Sequence, residues 1–406
     1  MNKLPLKKSS IFTLLKKIKK LNLGEEKISL HESMGRFFSK DIVSNINLPP
    51  FKNSAVDGYA LLKNDIVKGN KELFFNQRIA AGDKNSFNLR KNEAARIFTG
   101  AQMPKNSDTV VMQENTRVHK NKIKIIKMPL YGENCRLAGE DVAKGKKVFS
   151  SGEKINSTNI NLIAAIGKKN IFVKKKIKVG FYTSGNELRD PSEKLKRAEI
   201  NNSNYYSLNA LLKQEFIERS YLGILKDNKK SIEKNLLRNI SKFNIIITTG
   251  GASVGEEDHL VEIILKLGKI FFWKTAIKPG RPLAIGKIKN TIIICLPGNP
   301  VSVHLLYGMI INPFLEHLCN GKLELPLGTK VKTDFVMKKK NKRLEWLRVK
   351  VYKKNNDLIV SKYHKQGSGM ISSIVYADGI IEIPEDVSLI SKNDYFIFYS
   401  FDSLFN

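Results

Sequence analysis

Cysteine is scarce: Cys135, Cys295 and Cys319 are the only three in 406 residues, far apart and in no Cys-x-x-Cys pair. That spacing excludes a zinc ribbon and a disulfide framework, both of which need dense, paired cysteines. The six histidines are equally dispersed. Long apolar runs are missing too, so no segment reads as a transmembrane helix, which needs ~20 consecutive apolar residues. The opening stretch MNKLPLKKSSIFTLLKKIKK is basic, but lysines interrupt its apolar residues. This defeats a secretory core and predicts an amphipathic helix capped at Ser9 or Ser10. A cytoplasmic protein without a membrane partner is the expectation.

Acids are also in short supply, with 38 Asp and Glu against 70 Lys and Arg, a formal charge of +32. Clustered cations would suit a phosphate backbone. Here the lysines are scattered through nearly every segment, as in KKNNDL, IKKLNL and KNTIII. No finger, homeodomain-like helix or aromatic-rich RNA-binding strand accompanies them, so solvated lysine surfaces are read rather than a nucleic-acid partner. With 42% hydrophobic and 27% charged residues, the composition is that of a globular chain long enough for two to four compact units.

Organisation follows from the patterning. A Pro-Pro break at Pro49 and Pro50 opens a stretch of short apolar segments separated by Gly, Asn, Asp and Pro, the texture of a small β-rich unit running to about Asp141. GKKVFSSGEKINSTNINLIAAIG then returns the chain to the fold seen before Phe51, which makes the β-rich unit an insertion. From Lys176, apolar runs alternate with helical periods, predicting a parallel sheet with helical crossovers. LAIGKIKNTIIICL reads as a hairpin turning at Lys289 and Asn290, followed by a helix. Beyond Leu327 the pattern is strand-like again, with a hairpin turning at Asn355 to Asp357.

Within the alternating region, FNIIITTGGASVGEEDHLVEIILKLG is strand, glycine turn and helix in series. Gly250, Gly251 and Gly255 let backbone approach a ligand closely, and the next helix presents free N–H groups to an anion. An αβ turn that merely needs glycine fits the same spacing. Glu256 and Glu257 are explained by the helix dipole, whereas Asp258 beside the turn is placed to hold a divalent cation. VGFYTSGNEL and IIICLPGNPVSVHLL open at the same sheet edge, where open parallel sheets bind ligands. The second sets Pro297, Gly298, Asn299 and Pro300 ahead of a helix and leaves Ser302 as a hydroxyl donor. FFWKTAIKPGRPLAIG adds Lys274, Lys278 and Arg281 around a stiff bend, cations suited to a defined anion.

In chain order, NSAVDGYA, RIFTGAQMP, GEDV, SGNEL, TTGGASVGEED, KPGRP and LPGNPVS resemble the motifs of the molybdopterin molybdenumtransferase family, the MoeA-type enzymes that include the gephyrin E domain. The resemblance spans essentially the whole chain. It implies a multidomain α/β fold. Residues 1–26 and 176–326 would form a three-layer parallel-sheet domain similar to molybdopterin adenylyltransferase. Residues 46–141 would form an inserted β-rich domain, 27–45 and 142–175 a small linking domain, and 327–406 a β-barrel-like domain. It further implies a homodimer that consumes adenylylated molybdopterin and molybdate with Mg²⁺, releases AMP and leaves molybdenum on the dithiolene sulfurs. Contact with other enzymes of cofactor synthesis is part of that expectation.

Carried over by motif, Asp57 and Thr99 would come from the β-rich domain, and Asp141 would lie near its return. Glu187, Asp227, Asp258, Lys274, Lys278, Pro297 and Pro300 would line the sheet-domain cleft. Gly250, Gly251, Ser253, Gly255, Gly298 and Asn299 would hold the substrate's phosphate end. The metal candidates are Asp227, Asp258 and Glu187; Lys274, Lys278, Arg281 and Ser302 would meet molybdate and phosphate. Bland alternatives stand beside these: Asp57 as a turn cap, Thr99 bonding its own loop, Asp141 as a turn acid, Asp227 as the N-cap of the following helix. The chain departs from the family pattern at Asn186, where an acid is usual, at Asn201 and Asn202, and at Gly369, where histidine is frequent; the last three read as peripheral. An adenylyltransferase-like activity and a gephyrin-like scaffold are the competing functions.

Overall fold

A computed structural model describes residues 5–66, 71–85, 87–250 and 259–405. The expected loop residues Gly251, Ser253, Gly255, Glu256, Glu257 and Asp258 lie outside the described residues. The chain forms two compact units, Met1–Glu26 with Gly35–Phe37 and Val173–Asn406, and Lys27–Met34 with Phe38–Phe172.

Helix α1 (Lys8–Lys17) opens the first unit and buries Ile11, Phe12 and Leu15, an i, i+1, i+4 stripe between lysines. Each such side chain contributes ~1.5 to 3 kcal/mol when fully buried. The expected serine cap is absent: Lys7 holds the N-cap position with no side-chain bond, and Ser9 and Ser10 lie inside the first turn.

The second unit is built on strands β1 (Gly58–Leu61), β2 (Glu72–Ile79), β3 (Glu93–Ile97), β4 (Thr109–Met112), β5 (Thr116–His119) and β6 (Lys122–Ile125). Their order is β4-β1-β3-β2-β6-β5, antiparallel except for β2 with β3. Both faces are covered. Tyr59, Leu61 and Val111 join one apolar cluster, while Ala60, Ala95 and Val110 join the other. Gly58 has a steric reason: a Cβ there would lie 2.0 Å from the Val111 carbonyl oxygen. Helix α2 (Ser157–Ala165) begins at a reciprocal cap between Asn156 and Asn159.

In the first unit, β7 (Ile177–Ser184), helix α3 (Ser203–Leu211), β8 (Ile217–Leu225), α4 (Lys229–Asn239), β9 (Ile245–Thr249), α5 (His259–Leu267), β10 (Lys269–Trp273), β11 (Ala284–Ile288) and β12 (Thr291–Leu296) follow in sequence. The sheet order is β8-β7-β9-β12-β11-β10, with the first four strands parallel and β11 antiparallel to both neighbours. The Lys289–Asn290 hairpin is as expected. Helices α1, α3, α6 (Pro300–Leu306) and α7 (Asn312–Asn320) pack on one face and α4 and α5 on the other, giving three layers. Burial on both faces explains why IIITT and TIIICL are continuous apolar runs instead of alternating ones. No described helix is long and apolar enough to cross a membrane, and none of the three cysteines is in a disulfide.

Five further strands, β13 (Thr329–Thr333), β14 (Leu344–Lys354), β15 (Asp357–Lys362), β16 (Gly379–Ile383) and β17 (Tyr395–Ser400), close on themselves in the order β14-β15-β13-β17-β16-β14. This is the expected C-terminal barrel, filled by Val331, Leu347, Val349, Val360, Ile381 and Phe396 among others.

Candidate active site

Parallel ladders bring four strand ends level: Ser184 pairs with Leu225, Thr183 with Thr249, and Thr249 with Leu296. The loops leaving these ends begin at Gly185, Lys226, Gly250 and Pro297, so the sequence-predicted segments converge at one edge. Gly250 has φ +88°, and a Cβ on it would sit 2.8 Å from the Ser184 carbonyl oxygen. Gly298 follows closely, its virtual Cβ 3.8 Å from the Gly250 Cα. At Gly250, the positive φ and the close Ser184 carbonyl require glycine, while at Gly298 a side-chain carbon would make ordinary contact.

Two of the expected carboxylates flank the first loop. Asp227 accepts long hydrogen bonds from the Ser184 hydroxyl and the Asn186 N–H, both at 3.3 Å. Glu187 folds over Gly185, where an added Cβ would meet its Oε2 at 2.4 Å. Neither acid has an ion-pair partner among the described residues, although lysine and arginine outnumber acids nearly two to one in the chain. Asp227 is not the helix cap: Asn228 is, accepting the Ser231 N–H at 3.0 Å. Asn186 accepts the Asp227 N–H at 3.4 Å, so an acid at that position would add a third carboxylate to this loop pair. Among the described residues no group of three or more His, Cys, Asp or Glu is gathered to hold a metal. Two unpaired carboxylates still fit Mg²⁺, which ordinarily takes one or two from protein and the rest from water and phosphate.

The cations divide. Lys274 has φ +70°, unusual for a lysine, and its Nζ lies 4.0 Å from the Trp273 ring centroid. Lys278 is paired at 2.8 Å with Glu345, whose side chain is buried. Its charge therefore reaches an anion only in company with that carboxylate. Arg281 is exposed, and its charge helps hold Arg343 below the usual arginine range, after burial as the main cause. Ser302 is buried at the third position of α6. Pro297 is buried and Pro300 starts the helix, as the turn requires.

The barrel supplies residues that the sequence reading did not single out. Asn299 donates to the Ser368 hydroxyl at 3.0 Å, and the Val301 N–H reaches the Ser368 carbonyl at 3.3 Å. Arg348 is 2% exposed and donates to Gly367 and Trp346 carbonyls and to Ser373. Burial lowers its pKa to about 10, against the pull of Glu345. No local pattern marks these positions, because the contact joins loops nearly 70 residues apart. Asn202 is also more than peripheral: it caps α3 and its amide donates to Thr183 and Tyr221. Gly369, by contrast, faces open space.

In the second unit, Asp57 and Thr99 come together. Asp57 Oδ1 accepts both the Thr99 N–H and the Thr99 hydroxyl at 2.8 Å. Those two bonds, and then the nearby Arg96 guanidinium, hold the Asp57 carboxyl below its usual range. Asp141 is exposed and tied by its backbone to Leu48; no described hydrogen bond joins it to Asp57 or Thr99. An open cavity of about 360 Å³ elsewhere in this unit, lined by Leu30, His31, Ile160 and Lys168, contains no carboxylate and none of the expected residues.

A glycine-floored edge with unpaired carboxylates, a proline-fixed loop and nearby cations can bind a phosphorylated ligand and a hard cation together. Comparisons with known proteins identify the family. Family models match residues 8–167 as MoeA N-terminal region (domain I and II), 180–317 as probable molybdopterin binding domain, and 330–401 as MoeA C-terminal region (domain IV). A molybdopterin molybdenumtransferase of Haemophilus influenzae is 32% identical over 372 residues, covering 91% of this chain and 92% of that protein. One from a Nostoc species is 30% identical, covering 94% and 90%. The solved molybdopterin biosynthesis MoeA protein of Pyrococcus horikoshii superposes with a TM-score of 0.82 at 28% identity, over 98% of this chain and all of that one. The chain belongs to the molybdopterin molybdenumtransferase family of molybdenum cofactor biosynthesis.

Proposed function

We propose that the chain inserts molybdate into adenylylated molybdopterin, cleaving the adenylyl phosphoanhydride and releasing AMP. The observation that carries this is the pairing of unneutralised Asp227 and Glu187 with the Gly250 and Gly298 backbones at one sheet edge. Asp227 and Glu187, with Asp258, would hold Mg²⁺. When bound, the cation neutralises charge on the phosphoanhydride oxygens. The glycine backbones let the phosphates approach closely. The rigid Pro297–Pro300 turn fixes their position, and Ser368 steadies that turn through Asn299. Lys274 and Arg281, neither in an ion pair among the described residues, supply the positive field for a tetrahedral oxyanion, while Lys278 shares its charge with Glu345.

The Asp57–Thr99 corner has a half-buried carboxylate, held below its usual pKa range, with one oxygen committed to Thr99. We read it as the contribution of a second copy of the chain to this site, in a homodimer of a cytoplasmic enzyme. Incubating adenylylated molybdopterin with Mg²⁺, molybdate and a cofactor-free molybdoenzyme tests the reading through its product. Wild type is expected to restore molybdoenzyme activity and Asp227→Ala to lose at least 100-fold, about 2.7 kcal/mol of transition-state stabilisation. Equal restoration by the variant would remove Asp227 from the site.

A further inference from the structure

Asn204 is the second residue of α3 and is 7% exposed. Its Nδ2 donates to the Gly298 carbonyl at 2.7 Å, which places the amide between the start of α3 and the Pro297–Asn299 turn. That bond also fixes which end is oxygen. Exchanging the two would set Oδ1 against a carbonyl oxygen at the same distance. Oδ1 is buried and has no hydrogen-bond partner. A second buried orphan lies on the same face of the sheet: Thr249 Oγ1, on a residue 1% exposed, has no partner either. Thr249 is the register partner of Thr183, whose hydroxyl meets the Asn202 cap of α3, and partners across a ladder share a face.

Buried acceptors in native proteins are almost always satisfied, so an orphan beside a ligand crevice marks a group that the ligand completes. The chemistry of that group is constrained. An acceptor oxygen repels phosphate, molybdate and carboxylate oxygens, and it is too weak a field to compete with Asp227 and Glu187 for a cation. An uncharged donor, the N–H of a heterocycle or a ribose hydroxyl, is what remains in a nucleotide or pterin. We propose that Asn204 is a specificity-determining residue of this site, its Oδ1 accepting a hydrogen bond from the exocyclic amino group of a fused nitrogen heterocycle in the substrate. The assignment rests on the function proposed above, and the substrate so described carries two such heterocycles, adenine and pterin.

Equilibrium binding separates the possibilities. AMP and its N6,N6-dimethyl derivative, and a 6-substituted pterin and its 2-dimethylamino derivative, are titrated against wild type, Asn204→Ala and Asn204→Asp. For one of the two pairs, dimethylation is expected to weaken wild-type binding at least tenfold, and that penalty to fall below threefold in Asn204→Ala. The pair that shows it names the heterocycle. Asn204→Asp keeps an acceptor oxygen while losing the bond to Gly298, so it retains the penalty; a purely structural role would make the two variants alike. A penalty unchanged in Asn204→Ala for both pairs overturns the assignment alone. Failure of wild type to bind either parent compound overturns the proposed function and this assignment with it.

Discussion

At the scale of single residues, the acids and the glycines at the sheet edge explain one another. Asp57 illustrates how charge and hydrogen bonding separate. Asparagine can still accept both Thr99 bonds, whereas alanine cannot. Asp57→Asn is expected to melt within about 2 °C of wild type and Asp57→Ala lower, as checked by thermal unfolding, while both lose molybdenum insertion. His304 gives a pH dependence. It sits against the Ser207 hydroxyl of α3, the Pro300 carbonyl and the Phe405 ring, and burial holds its pKa below the ordinary histidine value against the Pro300 carbonyl. The unfolded chain then binds the proton better. Stability is full above the unfolded value of ~6.5 and falls as pH drops towards the folded pKa. Melting temperature should decline between about pH 6.5 and 5, and His304→Gln should flatten that decline. An unchanged acid limb in the variant would contradict it. Of these residues, Asp57, Thr99, Glu187 and Asp227 were legible through motifs. Asn204, Ser368 and Arg348 were not, because a polar residue in a helix turn or barrel loop acquires its role only from a partner distant in sequence.

At the scale of elements, hydrophobic pattern and turn chemistry decided most of what forms. Apolar runs alternating with helical periods read correctly as strands of a parallel sheet with helical crossovers. The Asn355–Asn356 turn is one residue shorter than the expected span of Asn355 to Asp357, and the reason is local. Lys354 pairs with Asp357, leaving a two-residue loop whose residues have φ +48° and +66°, the left-handed pair that such hairpins require. Asn356→Gly, which makes the Asn-Gly pair that two-residue hairpin loops with positive φ prefer, is expected to stabilise the barrel slightly, and a urea titration reads it. Gly58→Ala should do the reverse. Its Cβ would displace the β4 backbone at Val111, destabilising the second unit by at least ~2 kcal/mol. An unaltered urea midpoint would refute the steric reading. The α1 cap was misread because the serines that could cap it fall one turn position too late once Ile11, Phe12 and Leu15 fix the buried face.

At the scale of the whole molecule, the charge of +32 is the feature that points least to function. Lysines pair with acids across short distances on many elements, as Lys229 does with Glu262 and Lys266 with Glu233. Exposed pairs of this kind contribute little and are screened by salt. Duplex DNA binding by the full chain should therefore be weak at 0.15 M salt and no stronger for one sequence than another, as gel shift or anisotropy would show. What identifies the molecule is the order of its motifs and the sheet edge that gathers them. The central claim is tested most directly by AMP release from adenylylated molybdopterin with Mg²⁺, measured with and without molybdate. The account predicts release that depends on molybdate, one AMP for each molybdenum inserted. AMP release indifferent to molybdate, or formation of adenylylated molybdopterin from ATP instead, would contradict it.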